Sequence, residues 1–141
     1  MITEAYYRQY TSDFNAACAG DGTGFEAFYD KYYERNATFE YIPNATKNAG
    51  KEVTVSFWKH VHDLMLEVIR DHHTLVIGKN QVAVEAPIDF TCKKDLEWVG
   101  VKHRAGDSFR LMMAAFYDVS ANDKFEYVRV YSIFHPHYQL K

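Results

Sequence analysis

Two cysteines, three prolines, seven glycines and no block of basic residues are spread over 141 residues, and each scarcity closes off a class of protein. Cys18 and Cys92 are too few for a disulfide scaffold. With no charged-then-apolar leader ahead of them, they are expected to be reduced, buried small hydrophobes in a cytoplasmic protein. No apolar run approaches the roughly 18 residues a membrane span needs, so no membrane is expected as partner. A net charge of -3 without a cluster of lysine or arginine lacks the electrostatic footprint of a nucleic-acid binder. No repeat, linker or low-complexity tract is visible, and two Asn-x-Thr triplets at Asn36 and Asn44 read as chance matches. Aromatic residues, by contrast, are plentiful. At 16% of a chain that is 48% hydrophobic they demand a large apolar interior or interface.

Thr3 to Ala19 carries Tyr7, Tyr10, Phe14, Ala17 and Cys18 at helical spacing, which predicts a helix capped by Thr3. Gly20-Asp21-Gly22 stops it, and Phe25, Phe28, Tyr29, Tyr32 and Tyr33 mark a short aromatic second helix. Alternation ending at Pro43 predicts a strand over 38–42, with a polar loop over 44–50. Val53, Phe57, Val61, Leu64, Met65 and Val68, widened by Trp58, predict a long third helix over 51–69. Strands over 72–77 and 81–92 follow, joined at Gly78-Lys79-Asn80. Pro87 marks a bulge or an edge in the second of them. The charged stretch 93–107 reads as a loop or strand extension anchored by Trp98.

The chain closes on a hairpin whose turn is Ser120-Ala121-Asn122-Asp123. With Val119 paired to Lys124, one face holds Leu111, Met113, Ala115 and Tyr117 opposite Ser132, Val130, Val128 and Glu126. The other face holds Met112, Ala114 and Phe116 with Tyr131, Arg129 and Tyr127, too apolar to be left in water. The order helix, helix, strand, helix and four strands makes an α+β fold, with helices gathered on one face of a curved, mostly antiparallel sheet.

Ala19-Gly20-Asp21, the strand Ala37-Thr38-Phe39-Glu40-Tyr41, the Gly50-Lys51 opening of helix three and the closing hairpin resemble the nuclear transport factor 2-like superfamily, in its SnoaL-like and ketosteroid isomerase-like branch. Over nearly the whole chain, the resemblance implies a single SnoaL-like domain built as a cystatin-like cone. It implies an apolar pocket lined by Phe14 and Trp58 of the helices, Phe39 of the first strand, Val84 and Ile88 of the long strand, and Met113, Ala115, Tyr117, Val128 and Val130 of the hairpin. It also implies a homodimer through the convex sheet face. No cofactor is implied.

The isomerase relatives' tyrosine and two acids fall here on Asp13, Tyr41 and Ala115, so the isomerase triad is absent. Cyclase relatives carry an inward acid on the last strands, a part only Glu126 could play. Dehydratase relatives place a histidine at the start of the strand after helix three, where His72-His73 stands. A histidine near its ordinary pKa can both take and give a proton at neutral pH. Tyr41 could donate to a carbonyl, and Tyr117 with Glu126 could form an acid/base pair at the rim. No metal site is expected: His60 and His62 lie two apart on a helix, and His135 and His137 flank Pro136. Three functions remain open. They are a cofactor-independent lyase or isomerase acting on a hydrophobic cyclic molecule, a non-catalytic carrier or sensor of an apolar ligand, and a dimeric interaction module whose pocket is filled by its own side chains.

Overall fold

The computed structural model describes residues 1–98 and 100–134, and the pair His135 and His137 lies outside them. Helix α1 spans Glu4–Ala19, and the Thr3 hydroxyl accepts the Tyr6 N–H as its cap. Its stripe of Tyr7, Tyr10, Phe14 and Cys18 is buried. Helix α2, Gly24–Tyr32, sets Phe25, Phe28, Tyr29 and Tyr32 into the same core. Strand β1, Tyr33–Tyr41, begins earlier than alternation suggested and pairs with the short strand β2, Thr46–Ala49.

Helix α3 spans Lys51–Leu64 and does not reach residue 69. The chain turns directly into β3, Met65–Ile69, which pairs antiparallel with β5, Gln81–Cys92. Apolar residues at 64, 65, 66, 68 and 69 satisfy helical and strand periods alike, so spacing could not place this boundary. The expected strand at 72–77 is therefore β4, Thr74–Ile77, and His72 and His73 lie in the connection ahead of it. Strands β3 and β4 share the same side of β5. Pro87 sits where one gives way to the other, its carbonyl accepting the Arg70 N–H and its missing amide proton facing the gap.

The charged stretch forms a hairpin of β6, Leu96–Trp98, and β7, Val101–His103. Strands β8, Ser108–Val119, and β9, Phe125–Phe134, complete a curled sheet of order β2-β1-β9-β8-β5-β3, with β4 also on β5. Only the β1–β9 pairing is parallel among these ladders.

The closing hairpin departs from the expected register by two residues: Met113 faces Ser132, Ala115 faces Val130 and Tyr117 faces Val128. From Tyr127 onward a two-residue slip leaves the side chains on their expected faces, because the period is two. The cause is a bulge. Asp118 pairs with Tyr127 and Val119 with Phe125, so Glu126 has no cross-strand partner and is exposed. The proposed Tyr117–Glu126 pair is thereby undone.

Candidate functional site

The helices do not fill the cone evenly. At the end where β8 and β9 turn, Tyr7, Tyr10, Tyr117 and Phe125 meet ring against ring. Val84, Ala115 and Val128 are buried but do not line the cavity. The open part lies at the other end. It is a cavity of about 80 Å³, walled by Phe14, Phe39, Trp58, Ile88, Met113 and Val130, with Tyr117 at its floor.

Two polar groupings interrupt the carbon wall. On β1 the Tyr41 hydroxyl lies 2.6 Å from Ser132 Oγ of β9. Burial raises the Tyr41 hydroxyl above its ordinary pKa, the Ser132 hydrogen bond opposes the rise, and the charge of Glu67 adds to it. It is a hydrogen-bond donor at neutral pH. Trp98, at the tip of β6, lays its ring beside Tyr41 and Phe90, each with centroids 6.0 Å away. Its indole N–H is buried; it approaches the Tyr41 hydroxyl closely enough to lower it without reaching a hydrogen bond of good geometry.

The second grouping joins α3 to β3. Glu67 sits on the inward face of β3 with Met65 and Ile69, and its Oε2 lies 2.8 Å from His62 Nε2. His62 Nδ1 lies 2.6 Å from the Trp58 carbonyl one helical turn back. A carbonyl oxygen only accepts, so Nδ1 carries a proton, and Nε2 turns toward Glu67. A proton must also lie between Nε2 and Oε2, because two lone pairs at that distance would repel. Side-chain exposure of 4% for His62 and 14% for Glu67 keeps the pair out of bulk water, and both line the cavity. Phe14 meets the imidazole edge-on and Phe25 lies tilted over it, holding the ring in place. Behind the pair, Cys18 Sγ of α1 is 3.1 Å from Nε2. Burial and the charge of Glu67 push its thiol well above the ordinary range, so it stays protonated.

The residues that sequence reasoning named for chemistry are, apart from Tyr41, elsewhere. His72 stacks edge-on to Tyr7 with Nε2 3.6 Å from Glu4, and His73 is exposed; neither touches the cavity. Their misplacement follows from the helix boundary, since the strand after α3 is β3 and its inward polar residue is Glu67. Asp13 points toward α2, accepting from Lys31, Tyr32 and Gln9. Burial would raise its carboxyl, but these hydrogen bonds outweigh burial and hold it below its ordinary value. Glu126 is lost to the bulge. The pair sequence reasoning passed over, His62 and Glu67, carried a signal: a histidine on the apolar stripe of α3 and a lone acid inside an apolar run.

No family model and no curated protein matches the sequence. Solved structures do resemble the chain. A SnoaL-like polyketide cyclase from Agrobacterium tumefaciens superposes with a TM-score of 0.68 at 15% identity, covering 94% of this chain and 93% of that one. A nuclear transport factor 2-like protein from Anabaena variabilis gives 0.67 at 18% identity, with 96% of each chain covered. The fold is that of the nuclear transport factor 2-like superfamily. Within that fold, an LEH-like epoxide hydrolase from M. tuberculosis also matches, with a TM-score of 0.62 at 10% identity over 89% of this chain and 80% of that one. At these identities the likeness carries the architecture, and one such fold hosts unrelated chemistries.

Proposed function

We propose that residues 1–141 form one SnoaL-like domain that binds a small hydrophobic molecule in the cone and moves a proton on it, with Glu67 as acid/base and His62 as its proton partner. The observation that carries this reading is the 2.8 Å contact between His62 Nε2 and Glu67 Oε2 on the wall of an otherwise carbon-lined cavity. Tyr41 and Ser132 supply hydroxyls to a ligand carbonyl. Glu67 takes a proton from the adjacent carbon, the electron pair moves onto the carbonyl oxygen as an enolate, and the protonated Glu67 gives a hydrogen back to carbon, a deuteron where it has first exchanged with heavy water. Isomerisation, dehydration and cyclisation share the abstraction that gives the enolate; the enolate is then reprotonated at carbon, expels a hydroxyl that leaves as water, or bonds to a second carbonyl whose oxygen takes the proton.

The cavity of about 80 Å³ sets a size limit. It is about half the volume of a roughly 150 Å³ apolar cavity known to hold benzene. A cyclic ligand therefore enters only if Trp98, half-buried on its two-stranded hairpin, swings aside. The reading is tested with acetone, cyclopentanone and 2-cyclohexenone in heavy water, following deuterium at the carbon next to the carbonyl by NMR. Wild type should accelerate exchange and Glu67→Gln should not. A wild type that binds one of these ketones without exchanging it would instead be a carrier, the reading that the predominantly carbon lining favours.

The convex face is the proposed homodimer contact. Phe116, Tyr131 and Ile133 are 42%, 43% and 67% exposed on adjacent strands, an apolar patch flanked by the Arg129–Asp118 ion pair. No described helix is long and apolar enough to cross a membrane. Both cysteines are free and buried, in keeping with work in a reducing cytoplasm.

A further inference from the structure

Three groups meet at one point on the cavity wall. Cys18 Sγ lies 3.1 Å and Glu67 Oε2 lies 2.8 Å from the same nitrogen, His62 Nε2, and all three atoms fall within 4.8 Å of one another. With Nδ1 protonated toward Trp58, Nε2 offers either one lone pair or one N–H to two partners, and it satisfies only one of them fully. A proton serves two atoms. A tetrahedral ion serves all three. We propose that Cys18, His62 and Glu67 form a zinc site open to the cavity.

The chemistry of the donors fits. Thiolate, imidazole and carboxylate are the side-chain ligands zinc uses, and a histidine whose other nitrogen donates to a backbone carbonyl is oriented as metal-bound histidines are. Bond lengths of about 2.3 Å to sulfur and about 2.0–2.2 Å to nitrogen and oxygen put tetrahedral neighbours roughly 3.5 Å apart. The two measured gaps need only widen by roughly half an ångström, a small side-chain adjustment. One thiolate and one carboxylate cancel the charge of the ion, so the buried site is neutral and avoids the cost of an uncompensated charge. The one cation beside it among the described contacts is Lys93, whose ammonium donates to the His62 carbonyl at 2.6 Å and whose charge favours the thiolate. His62 and Glu67 line the cavity, so the fourth coordination position faces it. Three protein ligands and one open position is the arrangement of a reactive zinc rather than a purely structural one. Each ligand comes from a different element, α1, α3 and β3, which is why spacing along the chain gave no hint of it.

Zinc uptake releases two protons, the one on the Cys18 thiol and the one held between His62 and Glu67. The ion replaces the proton on which the acid/base reading depends, so zinc is an inhibitor of that chemistry, and the two readings fail separately. The test uses the full chain and cobalt(II) as probe. One equivalent should give a thiolate-to-cobalt charge-transfer band together with the strong visible bands of tetrahedral cobalt, and one equivalent of zinc(II) should bleach both. Cys18→Ser should abolish the charge-transfer band, Glu67→Gln, which removes a charged ligand, should weaken binding by at least the roughly tenfold that loss of an outer-shell partner costs, and Cys92→Ala should change neither. Zinc should also raise the wild-type melting temperature, and not that of Cys18→Ser. If Cys18→Ser fails to fold, Glu67→Gln, which keeps a hydrogen bond to His62, decides the matter. The absence of the band, or a band that survives Cys18→Ser or vanishes in Cys92→Ala, overturns the proposal. A cobalt band without ketone exchange leaves the zinc site standing and removes the acid/base reading; exchange without the band does the reverse.

Discussion

Replacing Glu67 by glutamine separates what the carboxyl does for the fold from what it does for a ligand. In wild type one proton lies between Nε2 and Oε2 at 2.8 Å, in a pair that water barely reaches. A charge-assisted hydrogen bond of this kind contributes about 1.5–3 kcal/mol net, and a neutral one about 0.5–1.5 kcal/mol. Glutamine has the same length and can accept from or donate to the imidazole. The expected loss is thus about 1 kcal/mol of stability. Glu67→Leu leaves a buried ring nitrogen with only the weak Cys18 thiol, and should cost about 1–3 kcal/mol. For proton transfer the two substitutions are equally severe. An amide cannot take the proton, so both variants should lose the about 10²–10⁴-fold that a positioned acid/base contributes. Urea unfolding gives the first quantity and deuterium exchange into cyclopentanone the second. Exchange that persists in Glu67→Gln at the wild-type rate would refute the assignment. So would a Glu67→Gln protein as unstable as Glu67→Leu, because the pair would then be a structural prop.

Three further outcomes follow from the same geometry. Trp98→Ala should tighten binding of 2-cyclohexenone several-fold by calorimetry, since the indole narrows the cavity against Tyr41 and Phe90; unchanged affinity would mean that Trp98 does not limit entry. Arg129→Glu should dissociate the proposed homodimer in sedimentation analysis, because the new acid stands beside Asp118 at the margin of the exposed Phe116–Tyr131 pair; a wild-type dimer left unaltered would move the interface off this face, and a monomeric wild type would remove the dimer. Asp89, on the same side of β5, is buried, yet ion pairs with Arg110 and Arg70 outweigh burial and hold its carboxyl below its ordinary value of 3.8. Its stabilising effect is present above the unfolded carboxylate pKa and lost as pH falls through the lower folded one. The stability gap between wild type and Asp89→Asn should therefore close below about pH 4, and a gap that stays constant down to pH 2 would contradict the pairing.

The elements that bury one clean stripe or one clean face were legible in the chain. Tyr7, Tyr10, Phe14 and Cys18 on α1, the even positions of β5 and the two faces of β8 all lie where period alone puts them. Faces survive where register does not, because a slip of two residues returns each side chain to its side; the bulge at Glu126 was beyond reach, since nothing in a strand's composition announces an extra residue. The helix boundary at Leu64 was the more consequential loss. An apolar run fits either period, and moving the boundary exchanged His72 and His73 for Glu67 as the polar residues facing the cone. His62 was set aside with His60 because pairs two apart on a helix diverge, a sound rule that overlooked the partner arriving from the next strand.

The state of His62 tests the account most directly. Ring-nitrogen NMR of the protein should find Nδ1 protonated, and Nε2 in a hydrogen bond whose proton signal moves when cyclopentanone is added and is lost from its place in Glu67→Gln. A bare Nε2 with no such proton, and a spectrum indifferent to both ketone and substitution, would contradict it.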